Sequence, residues 1–547
     1  MKNYILAHDL GTTGNKATLY DPEGALVSNA FYAYDTEYAQ ASWAEQDPED
    51  WWQAVCTSTH KLLGQTEVRA DEVACIVFSG QMMGCVPLDE EARPLRKAII
   101  WADQRSVEQE RWVGERISPE EVYRITGHRL SASYSLGKIL WLRDHQPDIY
   151  QAAYKFVHAK DAIVARLTGV FVTDPSDASG MNLYDLEGGA WSERIIEATE
   201  LEPAQLPELR PSIDVVGEVL PEIADQVGVA TGTPVVIGGG DGACAAAGAG
   251  VVSEGAAYNY IGASSWIALA TEKPIYDPDH KTFTFGHVAP GMFMPTGTMQ
   301  AAGASYQWIR DQICPVEVQA AETLRVSPYE LMNLEAENSP IGANGLIFLP
   351  YLLGERSPRW NPRARGAFLG LTIRHTRADI IRAVLEGVTM NLRVILDAFK
   401  SQGAKIEAMR LIGGGARGRF WNQMMANVYG IPVHRLAILE EATSMGAALT
   451  GGVGVGLYPN FSMIETMNQV SETIQPDPVQ IQFSSATRIM VWTAPLPVPA
   501  NEAIVLKVKS PNAADSDVDV TAYLFGAEPI FAATFVRRNL LLMGVGM

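Results

Sequence analysis

The chain is short of positive charge and of cysteine, and it has no long apolar run; each shortage removes a class of function. Its net charge is -21 at pH 7 over 547 residues, a balance that opposes binding to the phosphate backbone of DNA or RNA and to an anionic membrane surface. No window holds the roughly 20 consecutive apolar residues that a membrane span requires. Five cysteines, Cys56, Cys75, Cys85, Cys244 and Cys314, stand far apart without CxxC spacing, so neither a disulfide framework nor a zinc site is expected. The N-terminus MKNYILAHDLG enters a strand pattern with no signal-cleavage region, and a soluble cytoplasmic enzyme is the expectation. Two common nucleotide signatures are also missing: there is no GxxxxGK[ST], and no GxGxxG opens a helix.

What is present points to an α/β protein of two or three domains, because 547 residues exceed what one core usually supports. Strand-like runs, YILAHDL, ACIVFSG, PVVIGGG, LIFLPYL and MRLIGGG, alternate with helical stretches. In ADIIRAVLEGVTMNLRVILDAF the residues Ile381, Leu385, Val388, Leu392 and Ile395 recur at three- or four-residue spacing and predict a helix with one core face. Trp51 and Trp52 read as core residues. A boundary near residues 249–257 gives a first unit over 1–252 and a second over 253–473, with 272–300 as an excursion on the second. The tail, 474–547, differs in composition; its proline pairs and alternating runs AIVLKVK and VDVTAYLF predict strands in an atypical extension.

Two devices are doubled. A strand running into three glycines reads VVIGGGDGACAAAG at 235–248 and RLIGGGARGRFWNQ at 410–423, with Asp241 after the glycines in the first and Ala416 in the second. LGTTGNKATLY from Leu10 aligns with IGASSWIALAT from Ile261. The doubling reads as two related halves closing on a shared site, one half carrying a carboxylate. Glycine-rich turns let backbone N–H groups approach an anion closely. Gly11, Thr12, Thr13 and Gly14 form one such turn, with Lys16 as a point charge, and Gly262, Ala263, Ser264 and Ser265 form the other. Asp9, next to the first turn, is compatible with phosphate only if a hydrated Mg²⁺ lies between them. Asp241 stands where a strand gives way to a helix, the place of an N-cap or of a group aimed into a cleft.

The chain resembles the FGGY family of carbohydrate kinases over roughly residues 1–460. Two long patterns carry the resemblance, SYSLGKILWLRDH at 133–145 and GAFLGLTIRHTRADIIRAVLE at 366–386, supported by WAEQDPEDWW, FSGQMMG, IIWADQR, DASG and FLPYLLGERSP. The resemblance implies two actin-like (ribonuclease H-like) domains with ATP and sugar in the cleft between them. It implies Asp241 as catalytic base, Asp9 and Asp241 as the carboxylates linked to Mg²⁺, and the turns at Gly11, Thr12, Thr13, Lys16 and at Gly262, Ala263, Ser264 facing the triphosphate. Gly413, Gly414, Gly415 and Ala416 would lie against adenosine, with Asn422 near the base. Gln81, Met82, Met83, Trp101, Asp103 and Arg105 are the sugar-binding candidates, a set suited to a ligand with hydroxyls on one side and C–H groups on the other. Within the family the chain is most similar to members acting on D-xylulose, but those typically carry Met-His where this chain has Met82-Met83. The expected partners are a small-molecule sugar and ATP, with no nucleic acid and no membrane, and a homodimer is compatible with the resemblance. Other expectations kept open are a different acceptor (ribulose, L-xylulose, gluconate, a tetritol), an actin-like nucleotide switch without a sugar, and a weakly active homologue impaired by its tail.

Overall fold

The structure, a computed structural model, describes residues 3–477 and, beyond them, strand segments at Gln482–Phe483, Met490–Val491, Ile504–Val508 and Val518–Ala522. The last two segments pair antiparallel. The rest of the expected tail extension lies outside the described residues.

The first half follows the chain through β1 (Tyr4–Leu10), β2 (Gly14–Tyr20), β3 (Leu26–Ala33), α1 (Pro48–Gly64), β4 (Val73–Gly80), α2 (Ser135–His145), α3 (Ala159–Thr168), α4 (Pro175–Ser179), β5 (Val215–Glu218), β6 (Pro234–Gly240) and α5 (Asp241–Gly248). Its sheet has the order β5-β6-β4-β1-β2-β3. β1 and β2 form an antiparallel hairpin, and β4 and β6 run parallel to β1 on its other side. The run VACIVFSG of β4 is buried throughout, as expected for a parallel strand covered on both faces. Trp51 and Trp52 are 1% exposed and pack α1 onto this sheet.

The second half comprises β7 (Ala257–Ile261), β8 (Ser265–Leu269), β9 (Phe283–Gly286), β10 (Phe293–Met299), α6 (Arg377–Ser401), β11 (Met409–Ile412), α7 (Arg419–Tyr429), β12 (Val433–Leu436), α8 (Ala442–Gly454) and β13 (Val470–Ile474). Its sheet runs β9-β10-β8-β7-β11-β12-β13. α6 is the helix expected from the three- and four-residue spacing; Thr376 and Asp379 close a reciprocal cap at its start, and its apolar face is buried. LIFLPYL gives only Ile347–Leu349, in a separate two-stranded ribbon with Ala367–Leu369.

Sheet order corrects one part of the doubling. The hairpins β1-β2 and β7-β8 occupy equivalent places, as expected. The triple-glycine strands do not: β11 lies directly beside β7, whereas β6 is separated from β1 by β4. The strand equivalent to β11 is therefore β4, ending in FSGQ, and the equivalent of β6 is β12. Asp241 and Ala416 are not a matched pair, and their local likeness follows from a shared need for close backbone approach. A Cβ on Gly238 would lie 1.8 Å from Phe78 O, and one on Gly413 2.7 Å from Ile261 O; both have positive φ.

The equivalent helices are α5 and α8, each following the strand after the parallel pair. They cross between the two sheets within one continuous core that includes Ile5, Val77 and Val236 from the first half and Tyr258, Ala268 and Ile412 from the second. The 272–300 segment also ties the halves together. Within it β9 joins the second sheet, while Thr284 N–H donates to Gly127 O at 3.0 Å and Gly286 N–H to Ser179 Oγ at 2.9 Å.

Candidate active site

Asp9 is the penultimate residue of β1 and Asp241 opens α5, and both sit partly exposed where the strand ends of the first sheet meet the second half. Burial by the surrounding protein pushes the Asp241 carboxyl up to about 7, with the Asp9 charge adding to the effect. Burial also raises Asp9, opposed by the Ser79 hydroxyl, which donates to Asp9 Oδ1 at 3.1 Å, and by the charge of Lys16. A carboxylate whose ionisation is opposed by burial and by a neighbouring carboxylate fits a cation held near both. Tyr260 on β7 stacks on Trp266 with ring centroids 4.0 Å apart, and burial, with the charges of Asp241 and Asp9 adding to it, pushes its hydroxyl up. Tyr258 Oη donates to Gly242 O at 3.1 Å, so the second half also holds the residue after Asp241.

The turn after Asp9 is held from behind. Gly11 O accepts from Tyr34 Oη at 2.5 Å, Thr12 O from Gln46 Nε2 at 2.6 Å, and Thr13 O from Tyr34 N–H at 3.3 Å. The turn at Gly262–Ser264 is built the same way: Gly262 O accepts from Gly303 N–H at 2.9 Å, and Ala263 O from Ala302 and Ala304 N–H at 3.0 and 2.9 Å. Among the described residues none accepts from the N–H groups of Thr12, Thr13, Ala263 or Ser264. Carbonyls tied back and amides left free is the arrangement that receives an anion. Lys16 reaches across to the second half, its Nζ 3.4 Å from Glu440 O and 3.8 Å from Glu441 Oε1.

In the second triple-glycine turn, Gly413 and Gly415 pack on Ile261, immediately before the Gly262 turn, while Gly414 faces open space. Ala416 is buried, and Asn422, with no exposed surface, donates from Nδ2 to Ala416 O at 2.7 Å. Asn422 thus holds the glycine turn in shape from beneath.

The sugar candidates divide into two groups. Met82 lies against the turn before Asp241, since a Cβ on Gly240 would come within 2.6 Å of its sulfur. Met83 follows with φ 63, a strained conformation for a side chain of that size. Trp101 is 38% exposed and donates from Nε1 to Thr12 Oγ1 at 2.9 Å, linking it to the turn at residues 11–14. The other three are held by protein neighbours, although Gln81 Oε1 is buried without a partner among the described residues. Gln81 is 3% exposed and donates from Nε2 to Gln46 Oε1 at 2.7 Å. Asp103 has no exposed surface and spends its oxygens on Ala44 N–H at 2.6 Å and on the Arg105 guanidinium at 2.7 Å. Arg105 lies over the Trp43 ring at 3.7 Å and pairs with Glu45 at 2.7 Å.

Sequence reasoning missed Tyr34, Gln46 and Ser79, which orient the first turn and Asp9. Gln46 stands inside the WAEQDPEDWW segment, where a polar residue between a future strand and a Trp pair was the available signal. It also missed Lys138. This lysine is fully buried, and its Nζ donates to Met83 O at 2.9 Å and to Ser133 O. Burial draws its ammonium down to about 7.

Residues 4–248 match the N-terminal domain of the FGGY family of carbohydrate kinases and residues 257–455 its C-terminal domain. The chain is 33% identical over 455 residues to a xylulose kinase of Bacillus subtilis, covering 83% of this chain and 89% of that protein. It is 32% identical over 483 residues to a gluconokinase of the same organism, covering 88% and 93%. Its fold superposes on a ligand-bound xylulose kinase from Lactobacillus acidophilus with a TM-score of 0.80 at 26% identity, over 87% of this chain and 94% of the other. No helix of the described residues is long and apolar enough to cross a membrane.

Proposed function

The chain belongs to the FGGY family of carbohydrate kinases and is an ATP-dependent sugar kinase, and from that premise we propose that it phosphorylates the terminal hydroxyl of a ketopentose, D-xylulose first. The observation that supports this reading is the packing of Met82 against Gly240, the residue before Asp241, which puts the loop proposed to hold the sugar next to that carboxylate. Phosphoryl transfer is loose and asks the protein mainly to position groups and neutralise charge. Asp241 takes the proton of the attacking hydroxyl, and a carboxyl whose pKa is pushed up to about 7 matches that task near neutral pH. The free amides of Thr12, Thr13, Ala263 and Ser264 hold phosphate oxygens. Mg²⁺ is the metal of this reading, held near Asp9 and Asp241, and when bound it neutralises charge on the triphosphate.

Gluconate is the second acceptor, supported by the gluconokinase relative and by Met83, whose thioether offers the sugar no strong hydrogen bond. A coupled ADP-release assay over D-xylulose, L-xylulose, ribulose, gluconate and tetritols decides between them. Highest kcat/KM for D-xylulose is expected; a gluconate value above it would replace the first reading. ADP release independent of any acceptor would replace both with a nucleotide switch.

Lys138 gives a sharper test of the sugar side. Hydrogen bonds to charged groups contribute about 1.5–3 kcal/mol, and losing the one to Met83 O frees a strained loop. Lys138→Met is therefore expected to raise KM for the sugar about tenfold or more while KM for ATP stays unchanged. An unchanged sugar KM would place the sugar away from Met83.

A further inference from the structure

Behind the turn that presents Asp241 lies a fully buried ionic cluster for which phosphoryl transfer has no direct use. Lys160 on α3 has no exposed surface; its Nζ is 3.0 Å from Asp174 Oδ1 and 3.1 Å from Asp177 Oδ2, with Asp161 as a third partner. His158 Nδ1 is 3.0 Å from Asp177 Oδ1. His158, Asp161 and Asp177 together have the composition of a metal site. The Lys160 ammonium already stands between the two acids as their counter-charge.

Buried ions each lose several kcal/mol of hydration, and apolar replacements are often neutral or stabilising, so stability is a weak account of such a cluster. Its contacts supply a stronger one. Asp174 Oδ2 accepts from Ser176 N–H at 3.0 Å, from the Ser176 hydroxyl, and from Ser212 Oγ at 2.7 Å. Ser176 Oγ accepts Gly240 N–H at 2.9 Å, and Ser212 O accepts Gly238 N–H at 3.0 Å. Gly240 therefore hangs on this carboxylate through the Ser176 hydroxyl, and Gly238 on the backbone of Ser212, whose hydroxyl the same carboxylate receives; Lys160 holds its other oxygen. The space is close as well: a Cβ on Gly239 would lie 2.9 Å from Ser176 Oγ, and one on Gly80, the β4 partner of Gly240, 3.0 Å from Lys160 Cβ. At its far end the cluster continues through His158 Nε2, 2.8 Å from Ser135 Oγ, to Gly84 O, the residue after Met83.

We infer that Lys160, Asp174 and Ser176 are positioning residues that fix the Gly240-Asp241 turn relative to the Met82-Met83 sugar loop. The inference rests on Asp241 acting as the base. Misplacement by an ångström of a group that must meet a reacting atom costs on the order of 10²-fold in rate. Binding of ATP and sugar draws on other contacts.

The test is Ser176→Ala in the full-length enzyme, assayed with whichever sugar of the panel turns over best. Expected is a kcat lowered about tenfold or more, with KM for ATP and for sugar and the melting temperature close to wild type. Asp174→Asn, which keeps an acceptor for both serines but removes the charge facing Lys160, is expected to lower kcat in the same way with both KM values unchanged, and to melt lower because a buried charge loses one partner. A Ser176→Ala enzyme with wild-type kcat overturns the inference, as does one whose kcat, both KM values and melting temperature deteriorate together. Asp241→Asn measured alongside separates the two layers. If Asp241→Asn stays active, the base assignment fails and the inference with it; if it is inactive while Ser176→Ala is normal, the positioning role alone fails.

Discussion

Asp241→Asn is expected to lower kcat by about 10²–10⁴-fold, the usual contribution of a positioned proton acceptor, while ATP binding with Mg²⁺, measured by calorimetry, is retained. The amide keeps the size of the carboxyl and can still accept Gly242 N–H, which Asp241 Oδ1 takes at 2.7 Å. The free amides of the two hairpin turns and the Asp9 carboxylate are untouched, so most of the affinity for the nucleotide is expected to remain, with a modest loss from the weakened Mg²⁺ site. Near-normal turnover would remove Asp241 from the chemistry.

The same variant carries a second expectation of opposite sign, which distinguishes a catalytic carboxylate from a structural one. The Asp241 carboxyl is raised from 3.8 to about 7, first by burial and then by Asp9. For an acid with a raised folded pKa, the contribution to stability is complete below 3.8 and is lost as pH rises through about 7. Integrated over that interval, the loss reaches at most about 4 kcal/mol, and solvent at the mouth of the cleft screens part of it. Without metal or nucleotide, Asp241→Asn is therefore expected to melt higher than the wild type at pH 8 and alike at pH 4. A variant that melts lower at pH 8 would mean the carboxylate is retained for the fold.

The legible part of this molecule was its local chemistry. The hairpin turns, the long amphipathic helix and Asp241 at a strand-to-helix junction all follow from period, glycine and charge, which act between near neighbours. The doubled IGGG was misleading for the same reason. A triple glycine records only that the backbone passes close to something, Phe78 O in one case and Ile261 O in the other; strand order is decided by pairings tens to hundreds of residues apart. Asp103 and Arg105 look ligand-like by type, yet the structure pairs them with each other and with Ala44 and Glu45. Whether a polar side chain faces a ligand or a neighbour depends on tertiary contacts that a single sequence does not display. The Lys160 cluster was hidden by distance in another way. HAKD and DPSDAS are ordinary polar segments until the fold brings them behind one glycine turn.

The crossing of α5 and α8 sets two general effects against each other in one substitution, Gly446→Ala. Helix propensity alone predicts stabilisation by about 1 kcal/mol. The site predicts the reverse, because a Cβ at Gly446 would lie 1.8 Å from Cys244 O and 2.9 Å from Gly248 N, backbone atoms that cannot rotate away. Overpacking of this kind costs about 1–3 kcal/mol or more, so a net loss of stability is expected in denaturant unfolding. Gly64→Ala, at a helical glycine with nothing within 4 Å, is the control and is expected to be neutral or slightly stabilising. The consequence extends to function, since α5 carries Asp241 at its first position and α8 begins beside Glu440 and Glu441, which Lys16 approaches. Forcing the helices apart moves the base relative to the phosphate turns, so kcat of the folded Gly446→Ala enzyme is expected to fall as well. A more stable and fully active Gly446→Ala would mean that the two halves do not meet at this crossing.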